Sequence, residues 1–227
     1  MNQSTRINLL RKYILALLLS LSAVGAVSAK TTCDNTPQGR LCLAQVDFSE
    51  FAQEAYQPQQ QSQWCWAASI SMLYSYYKHP VSQARIVKDV YGGIVNMPAG
   101  SGLTMARQLN RDWVDDNGQA FSSRLTAAYD FDAGVNNINN VWMINELDQD
   151  RPFVIGNNSH AMVVTAIRYY VRPQAPQVVS VGVFDPWPGV GARGLSPAEM
   201  MPKHLNPQGA LRFLATVSVT EPPAKRR

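Results

Sequence analysis

The sequence predicts an α+β fold, with helices from its first half packed on a mostly antiparallel sheet from its second half. Three observations carry that expectation. Trp64–Lys78 (WCWAASISMLYSYYK) is apolar on nearly every side, as suits a helix buried at a domain's centre. Further segments with helix start and stop signals follow it as far as Asp150. Beyond that residue the pattern changes to short, β-branched runs separated by turn residues.

Taken in order, Leu41–Phe48 reads as one short strand within an otherwise irregular stretch, residues 30–56. The Gln-rich run Tyr56–Gln63 contains Pro58 and reads as extended. Pro80 stops the buried helix, Ser82 is placed to cap a second helix through Tyr91, and Gly92-Gly93 ends it. Ser101 and Gly102 open a third helix, expected to run through Val114 and to close at Asp115-Asp116-Asn117-Gly118. Asn139–Asp150 reads as a fourth, with Pro152 just beyond. Ser123–Phe131, Arg151–Ile155, Ala161–Val171, Val178–Phe184 and Ala210–Val219 read as strands, and Ser196-Pro197-Ala198-Glu199 starts one late helix in capping-box fashion.

The N-terminus reads as an export signal. Arg6, Arg11 and Lys12 precede the apolar Tyr13–Val27, and Val27-Ser28-Ala29 offers small residues for cleavage. No Cys follows the expected cut and no twin-Arg pair precedes it, so the general export route is expected, to periplasm or medium. No other stretch approaches the ~18 apolar residues of a membrane span, so no stable membrane insertion is expected after cleavage. The expected organisation is a signal peptide over residues 1–29, an N-terminal segment over 30–56, one main domain over 57–220 and a basic tail over 221–227. The 20 Lys+Arg and 16 Asp+Glu of the whole chain become 17 and 16 once residues 1–29 are removed, a net charge of +1. A near-neutral body with a short basic tail gives no footing for nucleic-acid binding. A monomer is expected.

Three cysteines survive cleavage into an oxidising compartment. Cys33 and Cys42 flank a turn-rich loop (CDNTPQGRLC) that closes easily into a disulfide ring, worth roughly 2–3 kcal/mol. Cys65 is left unpaired, at the start of the buried helix, where free N–H groups favour a negative charge. A thiol so placed becomes a nucleophile when an imidazole stands beside it and a polar group orients that imidazole. His79 lies fourteen residues along the same helix, about 20 Å away, and cannot face Cys65. His204, next to Lys203 and close to Pro207, reads as a surface residue. His160 remains: it opens a strong apolar strand after the turn Gly156-Asn157-Asn158-Ser159. If the strand ending at Phe184 runs antiparallel beside it, Asp185 falls at the same end of the sheet.

These residues resemble a known family. Gln59-Gln60-Gln61-Ser62-Gln63-Trp64-Cys65-Trp66-Ala67-Ala68 is similar to the active-site segment of bacterial papain-like cysteine proteases, notably plant-pathogen effector proteases and bacteriocin-processing peptidases. The likeness spans about residues 57–190, in the family's order of Gln, Cys, His and Asp. It implies a papain-like fold with the active site in the cleft between helices and sheet. It also implies Cys65 as nucleophile, His160 as base, Asp185 (in Asp-Pro-Trp-Pro-Gly) as orienter and Gln59 as oxyanion donor, with Gln60 or Gln61 as alternatives if the loop register differs. Ser62-Gln63-Trp64 replaces the Cys-Gly-Ser lead-in of plant and animal papains, so their subsite preferences do not transfer. The implied reaction is hydrolysis of a protein or peptide through an acyl thioester, with no metal or organic cofactor. Two other readings share the segment: an amidase, deamidase or transferase acting on protein glutamine or peptidoglycan, and a non-catalytic binding module. Residues 30–56 are too few for an independently folded inhibitory pro-domain, so activity without pro-segment removal is expected.

Overall fold

The computed structural model describes residues 31–221; the expected signal peptide and most of the basic tail lie outside the described residues. The chain opens on a hairpin, β1 (Thr32–Thr36) and β2 (Gly39–Gln45), in which Cys33 lies directly opposite Cys42. A helical turn, Phe48–Glu50, capped by the Asp47 carboxylate, runs into a π-helical turn, Phe51–Ala55. Then come α1 (Cys65–Tyr76), α2 (Gln83–Tyr91), α3 (Gly102–Leu109), β3 (Arg111–Val114), β4 (Ala120–Asp130) and the short β5 (Val135–Asn136). The second half contains α4 (Asn140–Asp148), β6 (Phe153–Gly156), β7 (Ala161–Tyr170), β8 (Gln177–Asp185), β9 (Gly191–Gly194), α5 (Pro197–Met200) and β10 (Phe213–Thr220).

The strands form one antiparallel sheet with the path β1-β2-β7-β6-β10-β4-β3. Val163 and Val164 of β7 pair with β6 on one edge and β8 on the other; farther along, residues 166–170 pair with β2 on the first edge. Alternate residues of a strand face opposite sides of its sheet, and β6 and β10 use both sides. Val154, Phe213, Ala215 and Val217 meet Trp66, Ile70, Leu73, Ile86 and Leu109 from α1, α2 and α3. Phe153, Ile155 and Leu214 meet Ile144 and Leu147 of α4 on the other face. The near-continuous apolar surface of α1 follows from its position, since ten of its twelve residues are buried.

Two expectations are corrected. Residues 31–56 are more regular than one short strand in an irregular stretch: β1 and β2 form a hairpin, β2 pairs with β7 (Leu41↔Tyr170 to Gln45↔Ala166), and Cys42, Ala44, Val46, Phe51 and Ala55 belong to the core. Hydrogen bonding along the free edge of β7 organises this segment. The third helix stops at Leu109, and Arg111–Val114 is an edge strand on β4. Asn110 turns the backbone out of the helix at φ −125° and ψ 64°, and its Oδ1 accepts the Leu125 N–H.

Candidate active site

The start of α1 is held from both sides of Cys65. The indole N–H groups of Trp64 and Trp66 donate to the carbonyls of Val95 and Met97, at 2.8 and 3.1 Å. Both tryptophans are buried, and together they bind the 93–100 loop to the helix start. Cys65 is the first residue of the helix, so its backbone N–H has no intrahelical partner. Its side chain is half-buried and forms no disulfide.

His160 is delivered by a turn that Asn157 closes. The Asn157 Oδ1 accepts the N–H groups of Ser159 and His160, and the Asn157 N–H donates to the His160 carbonyl. Such Asx geometry fixes the residue that enters β7. The strands β7 and β8 are antiparallel with Val163 opposite Phe184, so His160 and Asp185 meet at one end of the sheet. The His160 Nε2 lies 2.6 Å from Asp185 Oδ1, which also accepts the Trp187 N–H at 2.8 Å. The Trp187 ring stands edge-on to the imidazole, with centroids 6.3 Å apart.

With Nε2 engaged by Asp185, Nδ1 is the ring nitrogen left for Cys65, which lines the same cleft and acts on the imidazole electrostatically. Burial works to lower the His160 pKa, but the hydrogen bond to Asp185 and the interactions with the Asp185 and Cys65 charges outweigh it and raise the pKa to about 9. For Asp185, burial works upward and is outweighed by the hydrogen bonds from His160, Trp187 and Arg193, which hold it at about 2. Cys65 and His160 line a cleft of about 320 Å³. Its lining also includes Gln63, Trp66, residues 98–102, Asp130, Asn157, Trp187 and Phe213.

Of the residues predicted for the site, Cys65, His160 and Asp185 are brought together, and the Cys33–Cys42 disulfide is present. Gln59 is buried but does not line the cleft. Its Nε2 donates both hydrogens to carbonyls of its own loop, Gln61 at 2.9 Å and Ser62 at 3.0 Å, while its Oε1 is buried without a partner. In this arrangement the amide is not turned toward an oxyanion. Gln60 and Gln61 are exposed, and neither lines the cleft. The two other histidines stand elsewhere: His79 is buried against Asp115 and stacked on Phe121, and His204 rests on Tyr129. Sequence reasoning missed Arg193, which donates from Nε to Asp185 Oδ2 at 2.8 Å. Its only signal was an Arg in the strand just after the Asp-Pro-Trp-Pro-Gly turn.

The model of the Peptidase_C39 like family matches residues 47–197. No curated protein matches the chain. One similar solved structure is a double-glycine motif protease from an AMS/PCAT transporter in complex with the leader peptide. It shows 15% identity and a TM-score of 0.39, covering 74% of this chain and 94% of that one. Another is the peptidase domain of Streptococcus ComA, a bi-functional ABC transporter involved in quorum sensing. It shows 16% identity and a TM-score of 0.35, covering 73% of this chain and 97% of that one.

Proposed function

The chain belongs to the Peptidase_C39 like family and is a cysteine-type peptidase, and from that premise we propose that it is an exported endopeptidase working through Cys65, His160 and Asp185. The observation that carries the reading is one imidazole held 2.6 Å from the Asp185 carboxylate in the cleft that Cys65 also lines. The Cys65 sulfur attacks the carbonyl carbon of a peptide bond. His160 passes its Nδ1 proton to the leaving amine, and the sulfur is left as an acyl thioester. A water, deprotonated by His160, then attacks the thioester and frees the enzyme. Asp185 holds the ring with Nδ1 toward the thiol and stabilises the imidazolium.

The Cys65 backbone N–H is the oxyanion donor nearest the reaction, a kind of contact often worth ~3–4 kcal/mol. Gln59 serves as a second donor only after its amide turns away from the Gln61 and Ser62 carbonyls. Export is supported by the N-terminal pattern and by the Cys33–Cys42 bond. Activity without removal of a pro-segment is supported by the place of β2 in the sheet, since excising residues 30–56 would strip β7 of a partner.

The test is casein and peptide hydrolysis by purified protein of confirmed N-terminus, with Cys65→Ala as blank. Cys65→Ala and His160→Gln are each expected to remove activity by a factor of at least ~10³, and Gln59→Ala to reduce it. Undiminished hydrolysis by Cys65→Ala would overturn the reading. Activity that appears only after cleavage upstream of Gln57 would show a true propeptide.

A further inference from the structure

We propose that Arg193, braced by Glu199, is a positioning residue that fixes the rotation and the charge of Asp185 for His160. The proposal rests on the roles given above to Cys65, His160 and Asp185. Of the two Asp185 oxygens, Oδ1 serves His160 and the Trp187 N–H, while Oδ2 receives Arg193 Nε. Without that contact a carboxylate can turn about its last bond and present either oxygen to the ring.

The guanidinium is itself locked. Its terminal nitrogens meet the Glu199 carboxylate fork to fork, at 2.7 and 3.1 Å. The remaining N–H bonds go to the Gly194 carbonyl and the Met162 sulfur, so all five donors have a partner. Glu199 is held in turn by the Ser196 N–H in the capping box of α5. The fold brings these residues to one place through the turn 186–191. Its Gly189 and Gly191 adopt φ of +82° and +66°, returning β9 along β8 so that Arg193 pairs with Val183 and reaches back to Asp185. An Arg–Glu pair on open surface contributes little, but this one is largely shielded, with side-chain exposures of 27% and 20%.

His160, Asp185, Arg193 and Glu199 thus form a row of alternating charge when the imidazole is protonated. The other titratable groups around it are Cys65 on α1, Tyr56 after the π-helical turn, and Asp130, Asp132 and Arg212 on the cleft wall. Within the row, Arg193 offsets the negative charge that Asp185 presents to the ring, and Glu199 offsets part of Arg193. The two substitutions Arg193→Gln and Glu199→Gln therefore act on His160 with opposite sign. The first leaves two carboxylates uncompensated and tightens the ring's hold on its proton; the second lets Arg193 bear harder on Asp185 and loosens it. A brace that only tied β9 to α5 would give loss of stability in both and no such pair of signs.

The test uses Arg193→Gln, Arg193→Lys and Glu199→Gln, with thermal unfolding to confirm that each folds. One arm measures kcat and KM against pH with a fluorogenic peptide built on a casein site that the protein cleaves. Arg193→Gln is expected to lower kcat about 10-fold or more with KM little changed, and to move the alkaline limb upward by on the order of half a pH unit. Arg193→Lys should return the limb while recovering only part of kcat, because an ammonium keeps the charge but not the planar fork. The second arm follows the His160 ring by NMR titration in the Cys65→Ala background, where no turnover is needed. It should move up in Arg193→Gln and down in Glu199→Gln. Full activity in Cys65→Ala would sink the proposed function, and the ring titration would still decide the role of Arg193. Unchanged kcat, limb and ring titration in a folded Arg193→Gln overturns the proposal. If that variant does not fold, an unmoved ring titration in Glu199→Gln overturns it.

Discussion

Asp185→Asn removes one negative charge and nearly preserves the side chain's shape, so it tests what the carboxylate, paired as it is with Arg193, does for His160. In the folded protein the imidazole titrates at about 9 against an ordinary value of 6.5, a preference for the charged form of roughly 3 kcal/mol. Because the folded value lies above the unfolded one, that stabilisation is complete below pH 6.5 and is lost as the pH rises through about 9. The Asp185 carboxyl, at about 2 against 3.8, adds stability above pH 3.8 that is lost as the pH falls through about 2. The two shifts describe one pair from its two sides and are not summed; the larger one at His160 also contains the Cys65 contribution. With Asn at position 185 the burial of the ring remains, and burial favours the neutral form. The difference in unfolding free energy between wild type and Asp185→Asn should therefore be large at pH 6.5 and shrink by about 2–3 kcal/mol above pH 9. Urea unfolding followed by tryptophan fluorescence measures it, and the alkaline limb of peptidase activity should move downward in the same variant. A stability difference that stays constant across this window would refute the reasoning.

Further outcomes follow from other parts of the molecule. Replacing Cys33 and Cys42 by Ser should lower stability by roughly 2–3 kcal/mol and leave kcat nearly unchanged. Cys42 pairs with Tyr169, near the opposite end of β7 from His160, and chemical denaturation with steady-state kinetics checks both. Without reductant the native chain should take up iodoacetamide at Cys65 alone, counted by mass spectrometry of peptides, and His160→Gln should slow that labelling. Gly102→Ala should destabilise by about 1–3 kcal/mol and damage the cleft. Its Cβ would stand 2.3 Å from Asp130 Oδ2 and 2.7 Å from the Phe213 ring; a melting temperature and kcat equal to wild type would contradict this.

The chemical core of the site was legible because each member carries a local signature. Cys65 opens an apolar helix, and two of the three histidines lie at positions that exclude them. Asp185 ends a strand whose pairing with β7 puts it beside His160. What could not be read depended on partners far along the chain. Thr32–Thr36 has no apolar alternation, and β2 is organised by the edge of β7 more than a hundred residues later. Arg111–Val114 continues the apolar spacing of α3, and only the turn at Asn110 and its bond to Leu125 redirect it. The role of Arg193 rests on a diagonal reach across β8 and β9, which no spacing announces. The Gln59 position was visible, but its amide orientation is decided by two carbonyls of its own loop.

The place of β10 also sets when the sheet can close. This strand is the last to leave the ribosome among the described elements, yet it lies between β6 and β4 in the middle of the sheet. It also supplies Phe213 to the wall of the cleft. A nascent chain can close the ring between Cys33 and Cys42, nine positions apart, early, but its two halves have no common sheet until residues 213–220 arrive. Pairings of such long sequence separation form slowly. The sheet is therefore completed late and from its middle: the part that packs on α1 through β6 and β7 and the part built from β3 and β4 are joined only by a strand that follows them both in the chain.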